Sequence, residues 1–227
     1  NGDNTASKKL SDRISPFILR RLKHEVAKDL PEKIYMDEWC TLTDEQKSLY
    51  GQIQEKFANP LREAIQKNEN VNYTASILPV LLRLKQVCDH PALIEGVESL
   101  PVFRRSEKFD ITINKLKEIK AKGELSVVFT QYLNVLNLFQ FACQECKLTF
   151  IRIDGSVNNR QAIIDKFNRK EVDVALCSVQ ACAYGINLTS ANHVIHFDHW
   201  WNPAVADQAT DRVHRIGQDK TVYVYNV

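Results

Sequence analysis

The sequence lacks the long apolar runs of membrane proteins and the N-terminal pattern of secreted ones. No stretch of about 18 apolar residues occurs. The polar lead-in, residues 1–12, shows no signal-peptide succession of charged, apolar and small residues. We therefore expect no membrane span and no membrane partner. A strong net charge is also missing, at +2 over 227 residues, so a nucleic-acid surface would have to be a local patch.

Metal-binding cysteine pairs are scarce as well. Cys143 and Cys146 form the one Cys-x-x-Cys pair among six cysteines. They fall on an apolar helical stripe with Leu136 and Phe139, and no second pair exists to complete a tetrahedral site. We interpret both as core residues of a protein from a reducing compartment, and we predict no metal site.

Three evenly spaced histidines also invite a metal interpretation. His193 and His196 fall on a predicted strand, where residues three apart face opposite sides of the sheet. His199 falls in the loop that follows. The spacing therefore does not predict a shared metal ion.

Helical periodicity dominates up to about residue 122. Thr43 and Gln46 have the spacing of a capping box at the start of one helix. A second helix is predicted to begin close to Pro79, because proline suits a first turn, and to run to Cys88. Residues 95–108 have the composition of a linker, and a third helix is predicted over residues 111–122.

From residue 125 onward, short apolar runs rich in Val, Ile and Phe alternate with amphipathic helices. Such alternation predicts a parallel sheet with helices on both faces, whose functional residues gather at the carboxyl ends of the strands. The loops of interest therefore start near Thr130, Asp154, Ser178 and Asp198. The predicted strands cover residues 127–129, 150–153, 172–177, 193–197 and 222–227, with helices over 133–146 and 160–167.

The segment 202–218 carries the most informative spacing. Asn202 is a good N-cap, Pro203 suits the first helical position, and Gly217 can end a helix. Two arginines and an acid on one helical face suit an anion, because guanidinium groups donate in a fork that fits phosphate. A solvated helix with an Asp–Arg pair worth ~0.3–0.5 kcal/mol is the open alternative. The residues of this face are Gln208, Asp211, Arg212 and Arg215.

These segments resemble a known family. DQATDRVHRIGQ (residues 207–218) closely resembles the last helicase motif of Swi/Snf-type ATPases. Further signatures follow the family's order: ISPFILRRLKHEVAKDLPEK (14–33), LRLKQVCDHP (82–91), SVVFTQ (126–131), RIDGSVNNRQAIIDKF (152–167) and GINLTSANHVIHFDHWWNP (185–203). The ordered set covers nearly the whole chain after Leu10, so the sequence is identified as a member of this family. The segment WWNPAVADQATDR (residues 200–212) resembles bacterial members of the family more than nucleosome remodellers.

The resemblance implies an α/β fold: a RecA-like parallel sheet with helices on both faces, preceded by a helical subdomain. Residues 13–107 would form the helical subdomain and linker. Residues 108–227 would form the second helicase lobe, truncated at its C-terminus.

The resemblance also implies roles at a nucleotide. In the family, ATP lies between two RecA-like lobes and both arginines of the last motif approach its phosphates, which maps onto Arg212 and Arg215 as catalytic residues. An arginine finger contributes ~10³ to 10⁵ in rate. The residues implied to orient the arginines or to line the nucleotide cleft are Gly185, Asn187, Gln208 and Asp211.

Loops at the strand ends are implied to follow one DNA strand through its phosphates. Such contacts carry little sequence information, which suits a translocase. The residues implied to contact DNA are Thr130, Gln131, Asp154, Gly155, Ser156, Ser178 and Trp201. For the tryptophan, a packing role is the open alternative.

Two departures from the family pattern bear on function. Residues 180–184 (QACAY) replace a basic residue and two glycines that would let backbone approach phosphate, which puts DNA gripping or coupling between the lobes in doubt. The sequence has no G-x-x-x-x-G-K-[ST] loop and no acidic metal-binding box. We expect both on a first lobe that precedes Asn1.

The leading hypothesis is the second lobe of an ATP-dependent double-stranded DNA translocase, inactive alone. ATP and Mg²⁺ would be shared with the first lobe, and the partners would be that lobe, duplex DNA and a DNA-bound protein complex. A DNA-binding or regulatory module uncoupled from ATP hydrolysis is the alternative, and an RNA helicase lobe is a third. We expect a cytoplasmic protein at the bacterial nucleoid, or a nuclear one in a eukaryote.

Overall fold

The computed structural model describes residues 4–18, 27, 29–67, 73–94, 101–157 and 159–227, without the side chains of 4–7, 73–74 and 182–184. Parts of the predicted entry segment 14–33 and of the predicted linker 95–108 lie outside these ranges. Contacts divide the chain into two units, residues 1–30 and 31–227. In the first unit, helix α1 (Asn4–Ile14) is followed by a short 3-10 helix, Ser15–Phe17. Everything that follows concerns the second unit.

The second unit opens with strand β1 (Lys33–Asp37) and then a group of helices. Helix α2 (Asp44–Ile53) starts at the predicted capping box of Thr43 and Gln46, with both hydrogen bonds present. A π-helical turn (Gln54–Ala58) leads into α3 (Asn59–Gln66), and α4 spans Tyr73–Asp89. The buried Gln46 amide donates to the carbonyls of Val87 and Cys88, which fixes α2 against the end of α4.

The predicted start of the second helix at Pro79 was wrong. Helix α4 begins six residues earlier and carries Pro79 inside it. Proline lacks the N–H of an interior position, so sequence reasoning places it in a first turn. Packing of α4 against α2 holds the longer helix together despite that missing donor.

The rest of the unit alternates strands and helices, close to the predicted bounds. Ser106 caps α5, and the left-handed Gly123 follows its end. The elements are α5 (Glu107–Ala121), β2 (Ser126–Thr130), α6 (Leu133–Glu145), β3 (Phe150–Ile153), α7 (Arg160–Asn168), β4 (Val174–Ser178), β5 (His193–His196), α8 (Pro203–Thr210) and β6 (Val222–Asn226).

All six strands form one parallel sheet in the order β1-β6-β5-β2-β4-β3. The five predicted strands are present, and β1 is an additional edge strand that the sequence did not predict. It comes from the part of the chain assigned to the helical subdomain, yet it pairs with β6. The division at residue 107 stays a prediction, and the segment before it also contributes to the sheet.

Two apolar clusters cover the two faces of the sheet. On one face, alternate strand residues such as Val127 and Val194 pack beneath α7, α8 and the segment 179–192. On the other face, Val128 and Ile195 pack beneath α5 and α6. The clusters confirm the predicted sheet with helices on both faces. Among the described helices, none is both long enough and apolar enough to cross a lipid bilayer.

The predicted helix over 202–217 is only half present. Asn202 caps it as predicted, accepting from the Ala204 N–H at 3.1 Å, but α8 ends at Thr210. After it, the Arg212 and Val213 N–H groups bond three residues back, and the Arg212 carbonyl accepts from the Leu188 N–H at 2.9 Å. Because this distant partner takes the carbonyl that a further turn would need, the chain continues as turns. Arg215 therefore does not lie on the last turn of a helix.

Candidate functional site

The carboxyl edge of the sheet brings together the predicted DNA-contact loops. Thr130 at the end of β2 is in register with Ser178 at the end of β4, and Asp154 follows β3 on the other side of β4. Because β2, β4 and β3 are neighbours, their ends form one continuous rim. We call Thr130–Gln131, residues 154–156 and Ser178 the strand-end loops.

Asp154 organises the loop after β3. Its carboxylate is 2% exposed and accepts from the backbone N–H and the hydroxyl of Ser156, at 2.8 and 2.6 Å. The Arg152 guanidinium donates to it at 2.5 Å and also to Asn137 at 2.7 Å. Burial opposes ionisation, but the hydrogen bonds from Ser156 and Arg152 outweigh it and lower the pKa of Asp154. Gly155, between the two partners, adds an exposed backbone that a phosphate can approach.

Asp198 organises the loop after β2. This buried carboxylate accepts from the Thr130 hydroxyl, and the Gln131 N–H lies 3.1 Å from each of its oxygens. The Thr130 side chain is wholly buried, while Gln131 is half-buried. Sequence reasoning marked Asp198 only as the start of a loop, because its partners lie 67 and 68 positions away.

The segment 179–192, the crossing segment, connects the carboxyl edge of the sheet to its amino edge. Ser178 caps a 3-10 helix, Val179–Tyr184, by accepting from the Ala181 N–H at 3.2 Å. Gly185 ends that helix with a φ of +68°, where a side chain would be strained. Asn187 is exposed, and its carbonyl accepts from Asn168 of α7 at 3.0 Å.

Trp201 lies on the same rim, beyond β5. Its side chain is 57% exposed, so it is not a core residue. The Lys85 ammonium sits 4.7 Å from its ring centre and donates to the His199 carbonyl. The exposed indole therefore rests on the end of α4.

The two candidate arginines lie in residues 211–217, the arginine segment. Arg215 is exposed, and its side chain has no ion pair or hydrogen bond within the described ranges. Arg212 is half-buried, and its Nε atom has no hydrogen-bond partner in the same part of the chain. Gln208 is exposed on α8, whereas Asp211 is half-buried with the Lys33 ammonium 3.7 Å away. The Asp211–Arg215 pair of the alternative hypothesis is thus replaced by a different ion pair.

The arginine segment lies towards the amino edge of the sheet. Lys33 begins β1, and the His214 ring contacts the Pro31 carbonyl at 2.7 Å just before that strand. The Leu188 to Arg212 hydrogen bond joins this segment to the crossing segment. Through that bond, the part of the crossing segment that follows Asn187 lies beside Arg212.

The histidines and the Cys-x-x-Cys pair have separate environments. His193 contacts Glu124 at 2.7 Å, whereas His196 contacts the Thr210 hydroxyl at 2.8 Å on the opposite face. Burial lowers the pKa of His196 to about 4, with a smaller contribution from His199. Cys143 lies on the buried face of α6, where burial raises the pKa of its thiol to about 12.

Comparison with known proteins identifies the family of this fold. Residues 107–217 match the helicase conserved C-terminal domain, and residues 1–93 match the SNF2-related domain. The Swi2/Snf2 ATPase core of Sulfolobus solfataricus in complex with double-stranded DNA superposes with a TM-score of 0.71 at 38% identity. The superposition covers 99% of this chain and 47% of that one. The chain belongs to the Swi2/Snf2 family.

Curated relatives agree with this assignment to the Swi2/Snf2 family. YwqA of Bacillus subtilis, provisionally named an ATP-dependent helicase or translocase, is 39% identical over 96% of this chain and 24% of its own length. An ATP-dependent helicase of Mycoplasma genitalium is 40% identical over 96% of the chain and 21% of its own length. The chain thus spans about a fifth to a quarter of these relatives. The RecA-like fold and the family predicted from the motifs are confirmed.

Proposed function

We propose that this chain supplies the second lobe of an ATP-dependent double-stranded DNA translocase of the Swi/Snf type. In this proposal the chain is inactive alone, and the first RecA-like lobe of the same parent protein completes the nucleotide site. Support comes from the family membership and from the sequence, which holds no phosphate-cradling G-x-x-x-x-G-K-[ST] loop.

One observation carries the nucleotide assignment. Arg215 is exposed, and the buried Nε of Arg212 has no hydrogen-bond partner among the described residues. Guanidinium donors without a protein partner suit an anion, because phosphate oxygens accept such forked donors. We assign Arg212 and Arg215 to the phosphates, where they stabilise negative charge in the transition state.

The neighbouring residues fit the same nucleotide. Gly185 has open space beside its α-carbon, which allows a ligand to approach the backbone. Exposed Asn187 and Gln208 can donate and accept at the cleft, while Asp211 orients the segment through Lys33. ATP and Mg²⁺ are shared with the first lobe in this proposal.

Duplex DNA is the proposed partner of the strand-end loops. In this proposal Gln131, Gly155, Ser156 and Ser178 follow the phosphates without base preference. The exposed backbone of Gly155 is the open approach, because the Ser156 hydroxyl and N–H already donate to Asp154 and the Gln131 N–H donates to Asp198. The exposed ring of Trp201 lies on the same rim. The parent protein would act where DNA is, at a bacterial nucleoid or in a nucleus, on DNA that can carry a bound protein complex.

Arg215→Ala tests the nucleotide assignment in the two-lobed parent protein. We expect DNA-stimulated ATP turnover to fall at least about a thousandfold, the range for a lost arginine finger. Steady-state turnover at saturating duplex measures it, and duplex affinity without nucleotide should stay within about twofold. Arg169→Ala is the matched control, because Arg169 is an exposed arginine paired with Glu171 and should keep wild-type turnover.

Wild-type turnover in Arg215→Ala would refute the arginine-finger role. A wild-type parent that binds duplex but shows no DNA-stimulated turnover would instead favour the regulatory module, with residues 180–184 as the altered element.

A further inference from the structure

We propose that Asp198 is a positioning residue that holds the loop after β2 for contact with the DNA backbone and ties this loop to the end of α4. The inference rests on the proposed function, because that function assigns the loop to DNA. It adds a residue to which neither the motifs nor the comparisons give a role.

The first support is the way Asp198 meets the loop. Both of its oxygens lie 3.1 Å from the Gln131 N–H, and it accepts from the Thr130 hydroxyl. The Thr130 oxygen in turn accepts from the Tyr132 N–H at 3.2 Å. One carboxylate therefore orders three consecutive residues. Since Thr130 is wholly buried, its side chain serves to hold the loop. Gln131 is half-buried with its side-chain amide nitrogen enclosed, and it is the residue whose backbone the carboxylate fixes.

The second support is the way the neighbours of Asp198 meet the helices. The Lys108 ammonium of α5 lies 2.8 Å from Asp89, the last residue of α4, and 4.9 Å from the Phe197 ring. On the other side, Lys85 of α4 donates to the His199 carbonyl. Phe197, before Asp198, thus contacts Lys108 of α5, and His199, after it, accepts from Lys85 of α4. A cavity of 320 Å³ opens between these groups, lined by Asp89, Lys108 and Asp198 among others.

The third support is the electrostatic cost of the arrangement. Burial raises the pKa of Asp198, against the hydrogen bonds from Thr130 and Gln131 and the charges of Lys108 and Lys85. Burial and the nearby Asp198 charge also raise the pKa of Asp89 to about 7, against the opposing charge of Lys108. Burying two carboxylates costs more desolvation free energy than apolar packing of similar volume. A cluster retained at this cost fits a positioning role, because it fixes the loop and the helix end in one geometry.

Asp198→Asn in the 227-residue chain tests the proposal. The amide keeps the shape but loses one acceptor and the charge. We expect hydrogen exchange at the Gln131 and Tyr132 amides, followed by NMR, to become about tenfold faster, as for one lost charge-assisted hydrogen bond. We also expect duplex affinity at low salt to fall about threefold to tenfold. Removal of a negative charge alone would strengthen binding to DNA, so a loss cannot come from bulk charge.

Asp219→Asn is the matched control, since it removes the same charge from an exposed side chain. It should leave exchange at both amides unchanged and duplex affinity equal or higher. Thr130→Val is a second, gentler variant, expected to speed exchange at Tyr132 and to add nothing further in combination with Asp198→Asn. Lys108→Met tests the connection to α4 and should speed exchange at Gln131.

Unchanged exchange at Gln131 and Tyr132 in Asp198→Asn would overturn the proposal. Faster exchange with unchanged duplex affinity would overturn it too, because the loop would then be held for another purpose. Wild-type exchange at Gln131 in Lys108→Met would remove the connection to α4. A wild-type chain that does not bind duplex at low salt counts against the proposed function, while the exchange data still decide whether Asp198 holds the loop.

Discussion

The strand-end loops and the arginine segment differ in how far the chain itself completes them. In the loops, Asp154 and Asp198 each accept several hydrogen bonds from neighbouring backbone and hydroxyl groups. In the arginine segment, the exposed Arg215 and the Nε of Arg212 have no partner within the described ranges. Hydrogen bonds within the chain hold the loops in place, whereas the arginine segment keeps donors that no described residue uses.

This difference separates two kinds of functional residue. A preorganised loop gives up little entropy on meeting its ligand, so its supporting carboxylates contribute to folding stability as well. An exposed arginine without a protein partner contributes little to folding stability, and its donors form strong hydrogen bonds only when an anion binds. Substitutions should therefore affect folding in the first region and leave it nearly unchanged in the second.

The largest effect on stability should come from acid, through His196 of β5, which lies outside both regions. His196 holds Thr210, the last residue of α8, and its pKa is lowered to about 4 by burial. Between pH 6.5 and 4 the unfolded chain binds a proton that the folded chain does not, so this site costs about 3 kcal/mol as the pH falls through that window. Urea unfolding from pH 4.5 to 7.5 should show a shallower pH dependence in His196→Gln. The same dependence of unfolding free energy on pH in wild type and His196→Gln would contradict this prediction.

A smaller effect is expected at the loop after β3. Asp154→Ala removes the acceptor of Ser156 and leaves Arg152 without its carboxylate. Loss of buried charge-assisted hydrogen bonds should lower the free energy of unfolding by about 2 kcal/mol. Urea denaturation at pH 7 measures it, with the exposed Asp219→Ala as the control expected to change little. A destabilisation no greater than that control would mean that the loop is not preorganised.

The smallest effect should be the stability of Arg215→Ala. An exposed side chain without a described partner should change the free energy of unfolding by less than about 0.5 kcal/mol. Thermal and urea unfolding of the isolated chain measure it. A loss above about 1 kcal/mol would show that Arg215 supports the fold, and the contrast between the two regions would disappear.

Most of the sheet could be predicted from sequence because its inner strands are continuous apolar runs. Strands β2 and β4 are buried on both faces, as interior parallel strands must be. Strand β1 escaped prediction because Lys33 and Asp37 bound a short, half-exposed edge strand, and its partner lies near the other end of the chain. No local pattern reports such a pairing.

The functional site could be predicted only as far as local spacing reaches. The family resemblance implied that Arg212 and Arg215 share a nucleotide site with Gly185 and Asn187, and this stays a prediction. The end of α8 depends on the Leu188 N–H, and the partner of Asp211 is Lys33, neither of which spacing can supply. Asp198 was missed as a functional residue for the same reason, because its donors belong to a different strand.

The pairing of β1 with β6 also bears on the order in which the strands of the sheet pair during folding. Asp37 and Asn226 meet across 189 positions of sequence, and β6 is the one described strand that pairs with β1. Contacts at such separation slow folding, because the entropy cost of closing a long loop comes before the stabilisation from strand pairing. During synthesis, β1 leaves the ribosome before the other described strands, yet its described partner β6 follows last. We therefore expect the inner strands to pair before β1 does. The edge that closes last is also the edge from which the sheet should begin to open under force.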